Sequence, residues 1–124
     1  MMGPAPSGPY APAVAAGDTV FVSGQIPVDP ATGAVPEGIG AQTRLAVANL
    51  LAAVRDASGG REFRIVKTTA FLADIGDLGG FNEAYAECIG RPFPARSCAA
   101  VSALPRGVLV EIEAMAVTGR LSSD

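Results

Sequence analysis

The segment that most constrains this chain lies near its C-terminus: Val108-Leu109-Val110-Glu111-Ile112-Glu113-Ala114-Met115-Ala116-Val117. Successive side chains of a strand point to opposite faces. The even-numbered ones (Val108, Val110, Ile112, Ala114, Ala116) are all apolar and should pack on helices. The odd-numbered ones are Leu109, Glu111, Glu113, Met115 and Val117, two carboxylates on an otherwise apolar face. Solvent does not require Leu109, Met115 and Val117 there, whereas a second chain laid over that face accounts for both features. A carboxylate so placed must be paired or hydrogen-bonded, or its pKa rises.

The rest of the chain supplies the other layer. Residues 13–16 and 19–25 read as two strands around the tight turn Gly17-Asp18, and Thr19-Val20-Phe21-Val22 is rich in β-formers. Asp29-Pro30-Ala31-Thr32-Gly33 is turn chemistry. Ala46, Leu50, Ala53, Val54 and Ala57 recur at helical spacing and predict a helix over 39–57, ended by Gly59-Gly60. Residues 65–72 form a β-branched strand. A second helix over 78–89 places Leu78, Phe81, Tyr85 and Ile89 on one side, and Gly90, Pro92 and Pro94 break it. Strands over 95–102 and 108–117 follow, joined by a turn at Leu104-Pro105-Arg106-Gly107. The order β-β-α-β-α-β-β predicts an α+β fold, a mixed sheet with two helices on one face. The 124 residues fit a single domain, with an irregular arm over 1–9 and a tail over 119–124.

Within 95–102, Arg96, Cys98, Ala100 and Ser102 share a face, and Ser97, Ala99 and Val101 share the other, which reads as core. The Arg96 face is then the complement of the Glu111 face. A planar guanidinium there suits bidentate capture of a carboxylate.

Composition excludes several chemistries. The net charge is −3, and the nine basic residues are scattered, so no clustered phosphate-binding surface and no nucleic-acid partner is expected. The chain has no His, the commonest metal ligand and general base. Two Cys with scattered carboxylates make a poor zinc set, so no metal is expected. Cys88 and Cys98 form no disulfide framework and fit a reducing compartment. The first ten residues lack the basic and apolar regions of a signal peptide. The most apolar stretch, 45–54, is too short to span a bilayer. The expectation is a cytoplasmic protein with no membrane partner.

Gly8-Pro9-Tyr10, Ser23-Gly24-Gln25-Ile26-Pro27, Thr32-Gly33, Gln42, Asn49, Val66-Lys67-Thr68-Thr69, Phe81-Asn82-Glu83-Ala84-Tyr85, Pro94-Ala95-Arg96-Ser97, Leu104-Pro105 and Val110-Glu111-Ile112-Glu113-Ala114 stand here in a fixed order. In that order the chain resembles the Rid family, the reactive intermediate deaminases also called YjgF-type, over nearly its whole length. The resemblance implies a chorismate-mutase-like fold and a homotrimer in which three sheets form a central barrel with active sites between subunits. It also implies hydrolysis of reactive enamines and imines, such as 2-aminoacrylate and 2-iminopropionate, to 2-keto acids and ammonia, with no cofactor. The substrate is then a small enamine or imine bearing a carboxylate.

By that resemblance Arg96 clamps the substrate carboxylate, the backbone N–H of Cys98 adds a donor, and Glu111 activates the attacking water. The plainer readings are an ion pair for Arg96 or Glu111 and packing for the Cys98 thiol. Tyr10 either caps the pocket or anchors the N-terminal arm. Ser23 contacts ligand or belongs to a turn. Asn82 braces the start of the second helix or touches the pocket. Glu113, Gln42 and Asn49 read as structural. Pro12, where family members often have Gln, the short 85–94 connection and Gly79-Gly80 depart from the family pattern and bear on pocket shape and substrate range. Two other functions compete: a non-enzymatic trimeric module that binds small carboxylates or regulates other proteins, and a catabolic deaminase for a bulkier enamine such as 2-aminomuconate.

Overall fold

A computed structural model describes residues 8–119; the expected arm and tail lie largely outside these. Strand β1 (Ala13–Ala16) turns at Gly17, whose φ of 61° suits glycine, into antiparallel β2 (Thr19–Gln25). Helix α1 (Ile39–Ala57) follows, then β3 (Phe63–Leu72). A short 3-10 turn (Ile75–Asp77) leads into α2 (Leu78–Ile89), which carries the chain to β4 (Ala95–Ala100), parallel to β3. A second such turn (Pro105–Gly107) precedes β5 (Val110–Thr118). The sheet order is β1-β2-β5-β3-β4, so the last strand lies at the centre, antiparallel to both neighbours.

Both helices were placed correctly by their apolar spacing, and so were β1 and β2 by their β-formers and turn. Four strand ends differ. β3 begins at Phe63 because Phe63 and Arg64 already pair with Thr118 and Val117. β4 stops at Ala100 rather than at 102, and β5 runs from Val110 to Thr118. The even side chains of β5 are buried as expected. They meet Val47, Leu50 and Val54 of α1, Phe81 and Tyr85 of α2, and Val20, Ile65 and Leu72 of the sheet.

One face assignment is overturned. Arg96 pairs in register with Thr68, and Cys98 with Ala70. Thr68 and Ala70 are wholly buried against the helices, and registered neighbours point to the same face. The Arg96–Cys98 side of β4 is therefore the helix side. Ser97 lies on the opposite face, where its Oγ accepts a hydrogen bond from Lys67 Nζ at 3.3 Å. The pattern misled because Ser97, Cys98, Ala99 and Ala100 are all small and β4 is an edge strand, so neither face carries a strong apolar contrast.

Two polar side chains of α1 lock the loops to this frame. Asn49, nearly buried, donates through Nδ2 to the carbonyls of Ile26 and Val28, each at 3.0 Å. Gln42 donates to Pro36 O at 2.9 Å and accepts from Leu109 N at 2.7 Å, fixing the entry to β5. These are the structural roles expected of both residues. An unsatisfied buried carbonyl costs about 1–3 kcal/mol. Asn49→Leu strands Val28 O, while Ile26 O keeps the Val28 N–H at 2.9 Å, and should therefore lower stability by about 1–3 kcal/mol in urea unfolding with an unchanged m-value.

Candidate functional site

The predicted site residues fall into two groups, one on each face of the sheet.

The first group lies on the helix face where β4 meets α2. The Arg96 guanidinium stands 5.3 Å from the Phe81 ring centre and 5.1 Å from that of Tyr85, within cation-π range. Its Nη1 donates to Asn82 Oδ1 at 2.8 Å. The spacing of Phe81, Asn82 and Tyr85 along α2 puts all three side chains beneath the guanidinium. Among the described residues no carboxylate lies within ion-pair distance of Arg96; the two ion pairs present are Arg44–Glu87 and Arg61–Asp18. Of its five N–H donors, Asn82 takes one, and that partner is neutral. Arg96, Asn82, Tyr85, Ala86, Phe93 and Pro94 line an open cavity of about 340 Å³.

Tyr85 anchors this group. Its hydroxyl and Thr68 Oγ1 form a buried hydrogen bond of 2.6 Å. Burial pushes the phenol pKa up, against a lowering by Thr68 and Arg96, so the hydroxyl stays neutral. Cys98 is half-buried and packs against the core. Burial raises its thiol pKa while Arg96 pulls it down. A raised thiol pKa means little thiolate, which fits the packing reading.

The second group lies on the opposite face, around β2 and β5. Glu111 pairs in register with Phe71 of β3. Burial first, and neighbouring Glu113 second, raise its carboxyl pKa, as the apolar odd face of β5 led one to expect. Ser23 Oγ donates to Ala11 O at 2.6 Å and Ser23 N to Pro12 O at 2.9 Å, tying the segment that bears Tyr10 to β2. Tyr10 itself is half exposed. Ser23 lies within β2 rather than in a turn, and its two hydrogen bonds hold the segment that follows Tyr10 against that strand. On this face Phe21, Met115 and Val14 are 46%, 38% and 53% exposed, a large apolar surface for strand residues.

The structure thus joins Arg96 to Asn82 with Cys98 on the same face, and separately ties Ser23 to Ala11 and Pro12 and sets Glu111 against Gly24. Within one chain it does not join Arg96 to Glu111. Sequence reasoning missed Tyr85 and Phe93, having assigned Tyr85 to the core stripe of α2. The signal was available in Phe81, Asn82 and Tyr85, which crowd one helical turn opposite the Arg96 strand. Among the described residues no three His, Cys, Asp or Glu side chains cluster as metal ligands, and no helix is long and apolar enough to cross a membrane.

The fold and its paired helices are those of the chorismate-mutase-like YjgF proteins, and the chain belongs to the Rid/YjgF family. The sequence model of that family, described as Endoribonuclease L-PSP, matches residues 2–118. A 2-iminobutanoate/2-iminopropanoate deaminase of Salmonella typhimurium is 47% identical over 92% of this chain and 91% of its own. A RutC family protein of Pyrococcus horikoshii is 45% identical over 91% and 90%. Among solved structures, Escherichia coli TdcF with bound serine superposes with a TM-score of 0.86 at 41% identity, covering 94% of each chain. The E. coli YjgF gene product gives 0.83 at 44% identity, over 93% of this chain and 92% of its own.

The raised Glu111 pKa has a consequence for stability. The folded state favours the protonated carboxyl more than the unfolded state does. The associated stability is therefore present below the unfolded pKa and lost as pH rises through the folded one. Glu111→Gln mimics the neutral form, so its stability advantage over wild type should grow between about pH 4 and pH 7. Urea midpoints at both ends, taken at one protein concentration, check this; a constant difference would rule it out.

Proposed function

We propose that this chain is a cytoplasmic imine deaminase of the 2-iminobutanoate/2-iminopropanoate type, a single Rid-type domain acting as a homotrimer. The observation that carries the reading is Arg96: a guanidinium set over two aromatic rings, oriented by a neutral amide, beside an open cavity and with no acid among the described residues to neutralise it. Such a group suits a small carboxylate ligand. The relatives named as 2-iminobutanoate/2-iminopropanoate deaminases and the serine held by TdcF support the same substrate class. The family model's description names an endoribonuclease. The absence of His, the side chain most often used as a general base, weighs against RNA cleavage here.

In the proposed reaction the substrate carboxylate takes a two-pronged hydrogen bond from Arg96. The Cys98 N–H adds a third donor. Val101 N donates to Leu72 O at 2.9 Å, and N–H groups alternate sides along a strand, so that of Cys98 points away from β3 along the sheet edge. Ionised Glu111 takes a proton from water as the oxygen attacks the C=N carbon. The tetrahedral adduct then collapses, returning protons to nitrogen and releasing ammonia and the 2-keto acid. One water is consumed and one C–N bond is lost. A carboxylate with a raised pKa is a better base near neutral pH. The two groups of site residues become one site when the Glu111 half of one copy meets the Arg96 half of another, with Tyr10 and Ser23 arriving beside Glu111. The exposed Phe21 and Met115 supply apolar surface for that contact.

The test is decay of 2-iminopropanoate generated in situ by an amino-acid oxidase. Wild type should speed decay. Arg96→Ala should lose about 10²-fold or more in kcat/KM through loss of a charge-assisted bidentate contact, and Glu111→Gln about 10²-fold in kcat. If wild type leaves decay of this and bulkier imines at the spontaneous rate, the small-carboxylate-binding module takes its place. Light scattering on the eluted protein should give three times the monomer mass; a stable monomer would remove the composite site.

A further inference from the structure

Gly24 has a property that its backbone does not explain. Its φ is absent from the positive values that favour glycine elsewhere in this chain, so the local conformation admits any residue. What a side chain there would meet is the flexible end of Glu111, which would have to move aside. A Cβ placed on Gly24 would collide with Glu111 Oε2 and lie 2.9 Å from Glu111 Cδ and 3.1 Å from Cγ. The register places Gly24 in this role. Val22 pairs with Ala114 and Gln25 with Ile112, so β2 uses three steps where β5 uses two. This bulge turns both Val22 and Gln25 inward, where they are buried, and leaves Ser23 and Gly24 together across from Glu113, with Gly24 within reach of the Glu111 side chain two residues along β5.

We infer that Gly24 is a positioning residue: its bare backbone is the seat against which the Glu111 carboxylate is held, and any side chain there displaces it. The inference rests on the catalytic role proposed for Glu111 and adds what fixes that carboxylate's orientation. The charged groups on this face are Glu113, on the same strand, Lys67 of β3, which is engaged with Ser97 Oγ at 3.3 Å, and Arg64 of β3, which pairs with Val117 at the far end of β5. The described residues provide no hydrogen bond from a protein donor to the Glu111 side chain. Shape, rather than a bonded partner, therefore sets its direction, and shape is what a Cβ would change.

The experiment combines kinetics with a stability cycle. In the 2-iminopropanoate assay Gly24→Ala should lower kcat at least ten-fold with KM within two-fold, because Arg96 still holds the carboxylate. The acid limb of the kcat–pH profile should move to lower pH as the displaced Glu111 gains water. Thermal unfolding of wild type, Gly24→Ala, Glu111→Ala and the double variant applies even to a protein too unstable to assay. Removing the Glu111 side chain removes the collision, so the Tm lost on Gly24→Ala should shrink by at least half in the Glu111→Ala background. Wild-type kcat with an unmoved acid limb in Gly24→Ala, or an equal Tm loss in both backgrounds, overturns the inference. An inert wild-type enzyme overturns the proposed function instead, and the stability cycle still decides whether Gly24 seats Glu111.

Discussion

Everything in this molecule depends on the central position of β5. It pairs with β2 on one side and β3 on the other, so the sheet stays in two parts until β5 is in place. Its contacts span most of the sequence, a topology that folds slowly because loop closure comes before the reward. Once in place it serves both faces at once. Val110, Ile112 and Ala116 complete the core under the helices. Glu111 and Glu113 stand on the other face among apolar neighbours. One alternation thus produces a stable fold and a partly desolvated carboxylate from the same ten residues.

On the helix face the chemistry rests on how Arg96 is held. A carboxylate partner would orient a guanidinium and also consume its charge. Here orientation comes from an amide oxygen and two ring faces, which together contribute about 1–2 kcal/mol and leave the cation un-neutralised. The rings are themselves fixed: Phe81 is fully buried, and Tyr85 is tied to Thr68 of the sheet. The stack therefore links β3, α2 and β4, and an anion arriving at the cavity meets a donor already in place.

How much of this could be read beforehand follows from local contrast. Both helices and the first hairpin were legible because apolar spacing, β-branching and Gly turns all pointed the same way. The buried side of β5 was legible for the same reason. The facing of β4 was not, since a run of small residues on an edge strand leaves period-2 alternation nothing to register. Tyr85 was read as core because it is core at its ring, and only the parallel pairing of β3 with β4 sets Arg96 above it. Gly24 was recognisable as part of Ser-Gly-Gln, yet its reason lies in a β-bulge and in a carboxylate nearly ninety positions away, which no local pattern encodes. The family resemblance supplied the proposed site residues without supplying their division between two faces.

That division is the strongest constraint on how the protein can work. The backbone of the single sheet lies between the Arg96 side and the Glu111 side, so one small 2-imino acid cannot touch both through the fold. The site residues can converge only around the β4 edge or between copies. The second route is the one that also covers Phe21, Met115 and Val14, apolar side chains that an isolated chain leaves in water. Covering that face removes water from around Glu111 as well, which raises its basicity further in the direction already set by burial. In the proposed mechanism association and base activation are one physical event, and an isolated chain holds the proposed parts of the catalyst without their alignment.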